Sequence, residues 1–132
     1  MLVLALVAAS TVARGDTSEA VGVVAEVKCE PLAARGKVLC TVRERPVLGK
    51  LQWGDVVVVA APAFAPPLRT RASAGDATRS DADGADFSLA LAATGEGTGT
   101  LEVLARAVVC GKGGCRPVTT RASGSVVVGP SP

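Results

Sequence analysis

Histidine and tyrosine are absent from this 132-residue chain, which also has only two phenylalanines, one tryptophan and one methionine. Without histidine there is no His general base, no Ser-His-Asp or Cys-His catalytic group and no His-ligated metal. Because large aromatic side chains are so few, the core must be built mainly from alanine and valine. A domain of this size with small core residues is only marginally stable, so cross-links would strengthen it.

Neither positive nor negative charge is in large excess. Lys and Arg together number 14 and Asp and Glu together number 12, which leaves a net charge of +2. No dense basic cluster is present, so we expect no nucleic-acid partner. The apolar run at 1–9 is too short to cross a bilayer as a helix, and we expect no stable membrane span in the mature chain.

The start of the chain is typical of a secretory signal. The apolar run leads into small residues at 8–10, although it lacks a basic n-region. We therefore predict a signal peptide over 1–15, whose true start could lie upstream, with a buried first strand as the alternative. The bias toward Ala, Arg, Gly and Val indicates a bacterial source, so we expect a periplasmic or otherwise exported protein. The remaining divisions are a lead-in at 16–22, one β-sandwich domain at 23–129 and a tail at 130–132.

Alternating apolar residues and turn signals predict about seven strands, and no segment has the pattern of an amphipathic helix. The clearest strand patterns lie at 23–29, 37–43, 51–61, 87–92, 101–109 and 118–128. The run of valines at 56–59 predicts a strand buried on both faces, and the aperiodic segment 72–86 predicts a long exposed loop. This spacing predicts an all-β, immunoglobulin-like antiparallel sandwich.

Four cysteines, an even number, fit an exported protein in an oxidising compartment. Pairing by neighbourhood predicts the disulfides Cys29–Cys40 and Cys110–Cys115, one of three possible connectivities. Cys29 and Cys40 fall on the inward faces of two strands joined by a short loop, which favours a buried structural disulfide. Zinc ligation is the alternative, but only the second pair has the short spacing of a zinc knuckle. We expect no metal and no cofactor.

Cys110 and Cys115 enclose three glycines and Lys112, and Arg116 follows directly. The glycines leave the two sulfurs uncovered, and the nearby cations stabilise a thiolate, which is the attacking species in disulfide exchange. These features suit a redox-active pair. A staple at a hairpin tip is the other interpretation, since small exported domains use disulfides in that way.

The run from 99 to 118 resembles the end of the N-terminal periplasmic domain of the thiol–disulfide interchange protein DsbD family. There a strand leads into a cysteine, a short loop, a second cysteine and, after one residue, a proline. The resemblance implies that Cys110 and Cys115 are the redox pair and that Pro117 is that proline. It also implies an immunoglobulin-like fold and electron transfer between a membrane donor and other thiol–disulfide oxidoreductases. The family covers its disulfide with an aromatic residue, for which Phe64 and Trp53 are candidates here, although core packing is favoured for both.

We therefore predict a periplasmic thiol–disulfide exchange module that uses Cys110 and Cys115, supported by Lys112, Arg116 and Pro117. The alternative is a non-enzymatic, disulfide-stapled binding or structural domain of the cell envelope, with the loop at 72–86 as its adaptable surface. That loop carries Asp76, Asp81, Asp83 and Asp86. It lacks the bidentate glutamate of an EF-hand, so a solvated loop is favoured over a calcium site.

Overall fold

A computed structural model describes residues 20–130 of the chain. The predicted signal peptide at 1–15 and the end of the tail lie outside these residues. Eight strands account for most of the described chain: β1 Gly22–Cys29, β2 Gly36–Val47, β3 Lys50–Ala60, β4 Arg71–Ala72, β5 Arg79–Asp81, β6 Gly84–Ala93, β7 Gly97–Gly111 and β8 Gly114–Val128. Within residues 20–130 no helix is long and apolar enough to cross a membrane.

The strands form two four-stranded sheets, and every strand pair in them is antiparallel. We name the sheet with the order β1-β2-β6-β5 sheet A and the sheet with the order β4-β3-β7-β8 sheet B. In chain order these are the ABED and C′CFG sheets of an immunoglobulin-like domain. The predicted immunoglobulin-like sandwich is therefore confirmed, with eight strands where about seven were expected.

Small side chains fill the space between the sheets, as the composition required. On β7 every second residue from Leu101 to Val109 is buried, and on β2 the inward positions Val38, Cys40 and Val42 have no exposed area. Phe87 on β6 is also fully buried in this core. The strand patterns that predicted these inward faces are confirmed, because each strand alternates between the core and solvent with a period of two.

Two sequence expectations about these elements are wrong. The segment 72–86 is not one long loop, since it contains a 3-10 helix at Ala74–Asp76, the strand β5 and the start of β6. The valines at 56–59 are not buried on both faces, because Val59 is 43% exposed. The neighbouring strand β4 pairs with only Val56 and Val57 of β3, so the residues of β3 that follow have no strand beside them on that edge.

Candidate functional site

The long β7–β8 hairpin places Cys110 directly opposite Cys115. The two residues form a disulfide with an S–S distance of 2.01 Å, so the predicted pairing is confirmed. Beyond them Gly111 pairs with Gly114, whose φ of 103° is strained for any residue with a side chain. The glycine pattern therefore makes a tight two-residue turn that brings both cysteines into register.

This disulfide lies on the outer face of sheet B. Val109 is fully buried, and because side chains alternate along a strand, its neighbour Cys110 points away from the core. Cys110 is half-buried and Cys115 is exposed. The oxygen Oε1 of Gln52 on β3 lies 4.0 Å from Sγ of Cys110. A thiolate from another molecule can therefore approach the pair from solvent.

The three residues predicted to support the pair lie around it. Lys112 in the turn is exposed close to the disulfide, whereas Arg116 on β8 lies opposite the buried Val109 and therefore points toward the other face of sheet B. Pro117 is exposed and lies opposite Val108, two residues along β8 from Cys115 and on the same face as the pair. Pro117 therefore shares the outer face with the pair and Lys112 lies in the turn beyond it, but Arg116 points to the opposite face.

Cys29 and Cys40 form the second predicted disulfide, with an S–S distance of 2.08 Å. They lie opposite each other in the β1–β2 pair and both point toward the core. Cys40 has no exposed area, but Cys29 is only half-buried because β1 is an edge strand. Neither disulfide joins the two sheets. Each one links neighbouring strands within its own sheet.

Trp53 lies on the surface, which contradicts the favoured assignment to the core. The β3–β7 register shifts between Leu51 and Trp53, so Gln52 is an extra residue on β3. This β-bulge places Gln52 and Trp53 on the outer side in succession, and Trp53 is 37% exposed. Without the bulge, the alternation that buries Leu51 would turn Trp53 into the core.

Phe64 does not cover the Cys110–Cys115 disulfide. Its ring packs against Gly97 and Gly99 at the start of β7, where a Cβ atom on Gly97 would come within 2.8 Å of it. Cys110 lies at the other end of the same strand, about 40 Å away at the rise of an antiparallel strand. Phe64 therefore belongs to the core at the opposite end of the sandwich, as the favoured sequence interpretation had it.

A buried ion-pair group that the sequence analysis missed lies next to this face. Asp55 on β3 has no exposed area, although it points outward, because two arginines cover it. Arg71 on β4 donates to it at 2.9 Å, and Arg106 on β7 donates to both of its oxygens. The hydrogen bond to Asp55 raises the pKa of Arg106 further. Two guanidinium groups on one carboxylate leave a net charge of +1.

A second buried acid, Glu44, lies on the core side of β3. It continues the inward face of β2, has no exposed area, and neither of its carboxylate oxygens has a hydrogen-bond partner among the described residues. Its carboxyl group packs against Gly54, where a Cβ atom would collide with it. Burial, and to a lesser extent the negative charge of Asp55, raise the pKa of Glu44 to about 8. Glu44 is therefore mostly protonated at pH 7.

The aspartates of the predicted loop have other partners. Ser73 donates to Asp76 through its hydroxyl and its backbone N–H, which lowers the pKa of Asp76. The backbone N–H of Asp83 donates to Asp81 and lowers its pKa. Asp86 pairs with two arginines across sheet A. Over residues 20–130 no three Cys, Asp or Glu side chains gather in a way that could hold a metal ion.

Comparisons with known proteins give no family assignment. No family model and no curated protein matches the chain. Similar solved structures include the ASH/PapD-like domain 7 of human CEP192, with 12% identity, a TM-score of 0.44 and coverage of 100% of this chain and 99% of that one. The fimbrial subunit AggA of Escherichia coli matches with 9% identity, a TM-score of 0.40 and coverage of 80% and 95%. The VesB protease of Vibrio cholerae matches with 11% identity, a TM-score of 0.36 and coverage of 81% and 32%.

Proposed function

We propose that this chain is an exported module that exchanges thiols and disulfides with other proteins through Cys110 and Cys115. The observation that carries the proposal is the different placement of its two disulfides. Cys115 is exposed at a hairpin tip, whereas Cys40 is completely buried. Exposed disulfides are the labile ones, while buried disulfides resist reduction. Since all four cysteines are bonded, an oxidising compartment suits the protein.

The exchange moves two electrons. A thiolate of a reduced dithiol protein attacks one sulfur of the pair, the Cys110–Cys115 bond breaks, and the other cysteine leaves as a thiolate. The second thiolate of the partner then attacks the partner's own sulfur in the mixed disulfide and releases the attached cysteine. The partner becomes a disulfide, and the released thiolates take up the two protons that the partner lost. Lys112 stabilises the thiolate that leaves.

A redox titration with peptide mapping tests this function. The folded protein is equilibrated in glutathione buffers of graded potential, free thiols are alkylated, and the modified cysteines are located by mass spectrometry. We expect Cys110 and Cys115 to be reduced reversibly near about −200 mV, in the range of known exchange catalysts. Cys29 and Cys40 should stay oxidised throughout. If the Cys110–Cys115 pair also resists reduction to below about −300 mV, the exchange function is wrong.

One observation favours a second candidate function. Cys110 and Cys115 lie opposite each other in a hairpin whose register is continuous from Gly97 to Gly111, so the disulfide also fits a staple at its end. The protein would then be a non-enzymatic binding or structural domain of the cell envelope. The same titration separates the two functions, because a staple should hold its oxidised state where an exchange pair does not.

A further inference from the structure

We infer that the outer face of sheet B beside the tip disulfide is the docking surface for an acidic dithiol protein, with Trp53 as its anchor. This inference rests on the proposed exchange function. Trp53 on β3, Val108 on β7 and Pro117 on β8 lie directly opposite one another and form one row across three strands. We call these three residues the apolar row. It borders the Cys110–Cys115 pair, which occupies the next outward position on β7 and β8.

The exposure of this row makes it available to a partner. Trp53 is 37% exposed, Pro117 is exposed, and Val108 between them is half-buried. A tryptophan beside an exposed disulfide is the kind of side chain that anchors protein interfaces, because its large rigid ring loses little conformational entropy on binding. A bound partner segment would cover the row and hold its own thiol against the sulfurs.

The β-bulge at Gln52 is the second observation, since it alone turns Trp53 outward. Without the bulge Trp53 would take the place of Gly54 opposite Ala107, against the buried carboxyl group of Glu44. Bulges often occur next to functional sites, where they redirect a side chain. In this domain, which is poor in aromatic residues, the bulge exposes a tryptophan next to the exposed disulfide.

Charge indicates the kind of partner. Lys112 lies on the side of the row where the hairpin turns. On its other side Arg106 and Arg71 surround the single negative charge of Asp55, which leaves that group positive. An acidic segment would be attracted to this surface, and a basic one would be repelled. We therefore assign the surface to a partner with an apolar residue next to its reactive cysteine and acidic residues outside it.

Matched cysteine peptides test the inference. The attack of three reduced peptides on the oxidised protein is followed by mass spectrometry of the mixed disulfide, with glutathione as a small-thiol reference. The peptides have the sequences Glu-Leu-Cys-Leu-Glu, Ser-Gly-Cys-Gly-Ser and Lys-Leu-Cys-Leu-Lys. Each rate is measured on the wild type, on Trp53→Ala and on Val59→Ala, which removes an exposed apolar residue further along β3. Comparing proteins with the same peptide cancels the effect of the flanking charges on the cysteine pKa.

We expect Trp53→Ala to slow the acidic apolar peptide about tenfold, as for an interface side chain whose truncation costs somewhat more than about 1 kcal/mol. The glutathione and Ser-Gly rates should stay unchanged, as should all rates for Val59→Ala. Added salt should slow the acidic peptide relative to the basic one. Equal effects of Trp53→Ala on all thiols would overturn the docking surface but leave the exchange function intact. If no thiol attacks the wild type at all, the exchange function itself fails.

The oligomeric state tests another occupant of the apolar row, a second copy of this chain. Size-exclusion chromatography with light scattering is run over a range of protein concentrations for the wild type and for Trp53→Ala. We expect both to stay monomeric, because the charged groups around the row would face their own copies. A wild-type dimer that Trp53→Ala dissociates would show that a second copy covers the row, and the inference of an acidic partner would be wrong.

Discussion

Replacing Glu44 by glutamine should remove most of the pH dependence of folding stability above pH 4.5. Glu44 is buried between the sheets without a hydrogen-bond partner, and its pKa is raised from 4.5 to about 8 in the folded protein. The folded state therefore holds a proton that the unfolded state releases between these two pH values. The free energy of unfolding falls with rising pH wherever the native state binds more protons than the unfolded state. The protein therefore loses stability between pH 4.5 and about pH 8.

The magnitude follows from the two pKa values. Below pH 4.5 the group is protonated in both states and its effect is constant. Between pH 4.5 and about pH 8 the free energy of unfolding falls by about 1.4 kcal/mol per pH unit, in total on the order of 5 kcal/mol. Above pH 8 the curve is flat again. Domains of this size are stable by about 5–15 kcal/mol, so the loss is a large part of the total.

Urea unfolding at pH 5, 7 and 9, followed by far-UV circular dichroism, measures this effect. We expect Glu44→Gln to resemble the wild type at pH 5, and to be more stable by about 3 kcal/mol at pH 7 and about 5 kcal/mol at pH 9. Glu26→Gln, which changes an exposed carboxylate on the outer face of sheet A, should leave the slope unchanged. A wild-type stability that stays level from pH 5 to pH 8 would refute the reasoning.

Three further predictions concern the same molecule. Asp55→Ala should lower the free energy of unfolding by about 2 kcal/mol, less than for a fully buried pair because Arg71 and Arg106 are partly exposed; an unchanged urea midpoint would contradict this. Gly54→Ala should lower the free energy of unfolding by about 1–3 kcal/mol, because its Cβ atom would clash with Glu44. In a double-mutant cycle, adding Glu44→Ala should recover part of that loss. Strictly additive effects of the two substitutions would contradict the contact. Cys40→Ser should lower the free energy of unfolding by about 2–5 kcal/mol, whereas Cys115→Ser should lower it less but abolish thiol exchange. An equal fall in Tm for the two variants would contradict this difference between the disulfides.

The sequence was sufficient for features that depend on local pattern. Alternation predicted which side of β2 and β7 faces the core, and neighbourhood predicted both disulfides. It also contained the position of Glu44, because the inward series Val38, Cys40, Val42 continues to it with a period of two. The predicted strand stopped at Arg43 because a charged residue does not extend an apolar pattern. Only the contact with Gly54 on the other sheet shows why an acid is accommodated there.

Other features depend on contacts between distant parts of the chain. Asp55 is covered by Arg71 and Arg106, which lie 16 and 51 residues away in the sequence, and no local signal connects them. The orientation of Trp53 depends on a single extra residue in the β3–β7 register, and one residue is enough to move a side chain to the other face. The core position that the usual burial of large aromatic residues predicted for Trp53 is therefore wrong, because the bulge turns this side chain outward.

The two disulfides differ in burial and hardly at all in the length of chain that they close. Sequence separations of 5 and 11 give closely similar chain-entropy stabilisations, about 2.2 and 2.8 kcal/mol. The two disulfides differ in the environment of the side chain that is left when the bond is removed. Serine at Cys40 would place a hydroxyl in a position without exposed area, which adds about 1–3 kcal/mol if the hydroxyl finds no partner, whereas serine at Cys115 would be hydrated. Loss of the tip disulfide should therefore cost little beyond its chain-entropy stabilisation of about 2.2 kcal/mol, because it leaves no polar group buried without a partner.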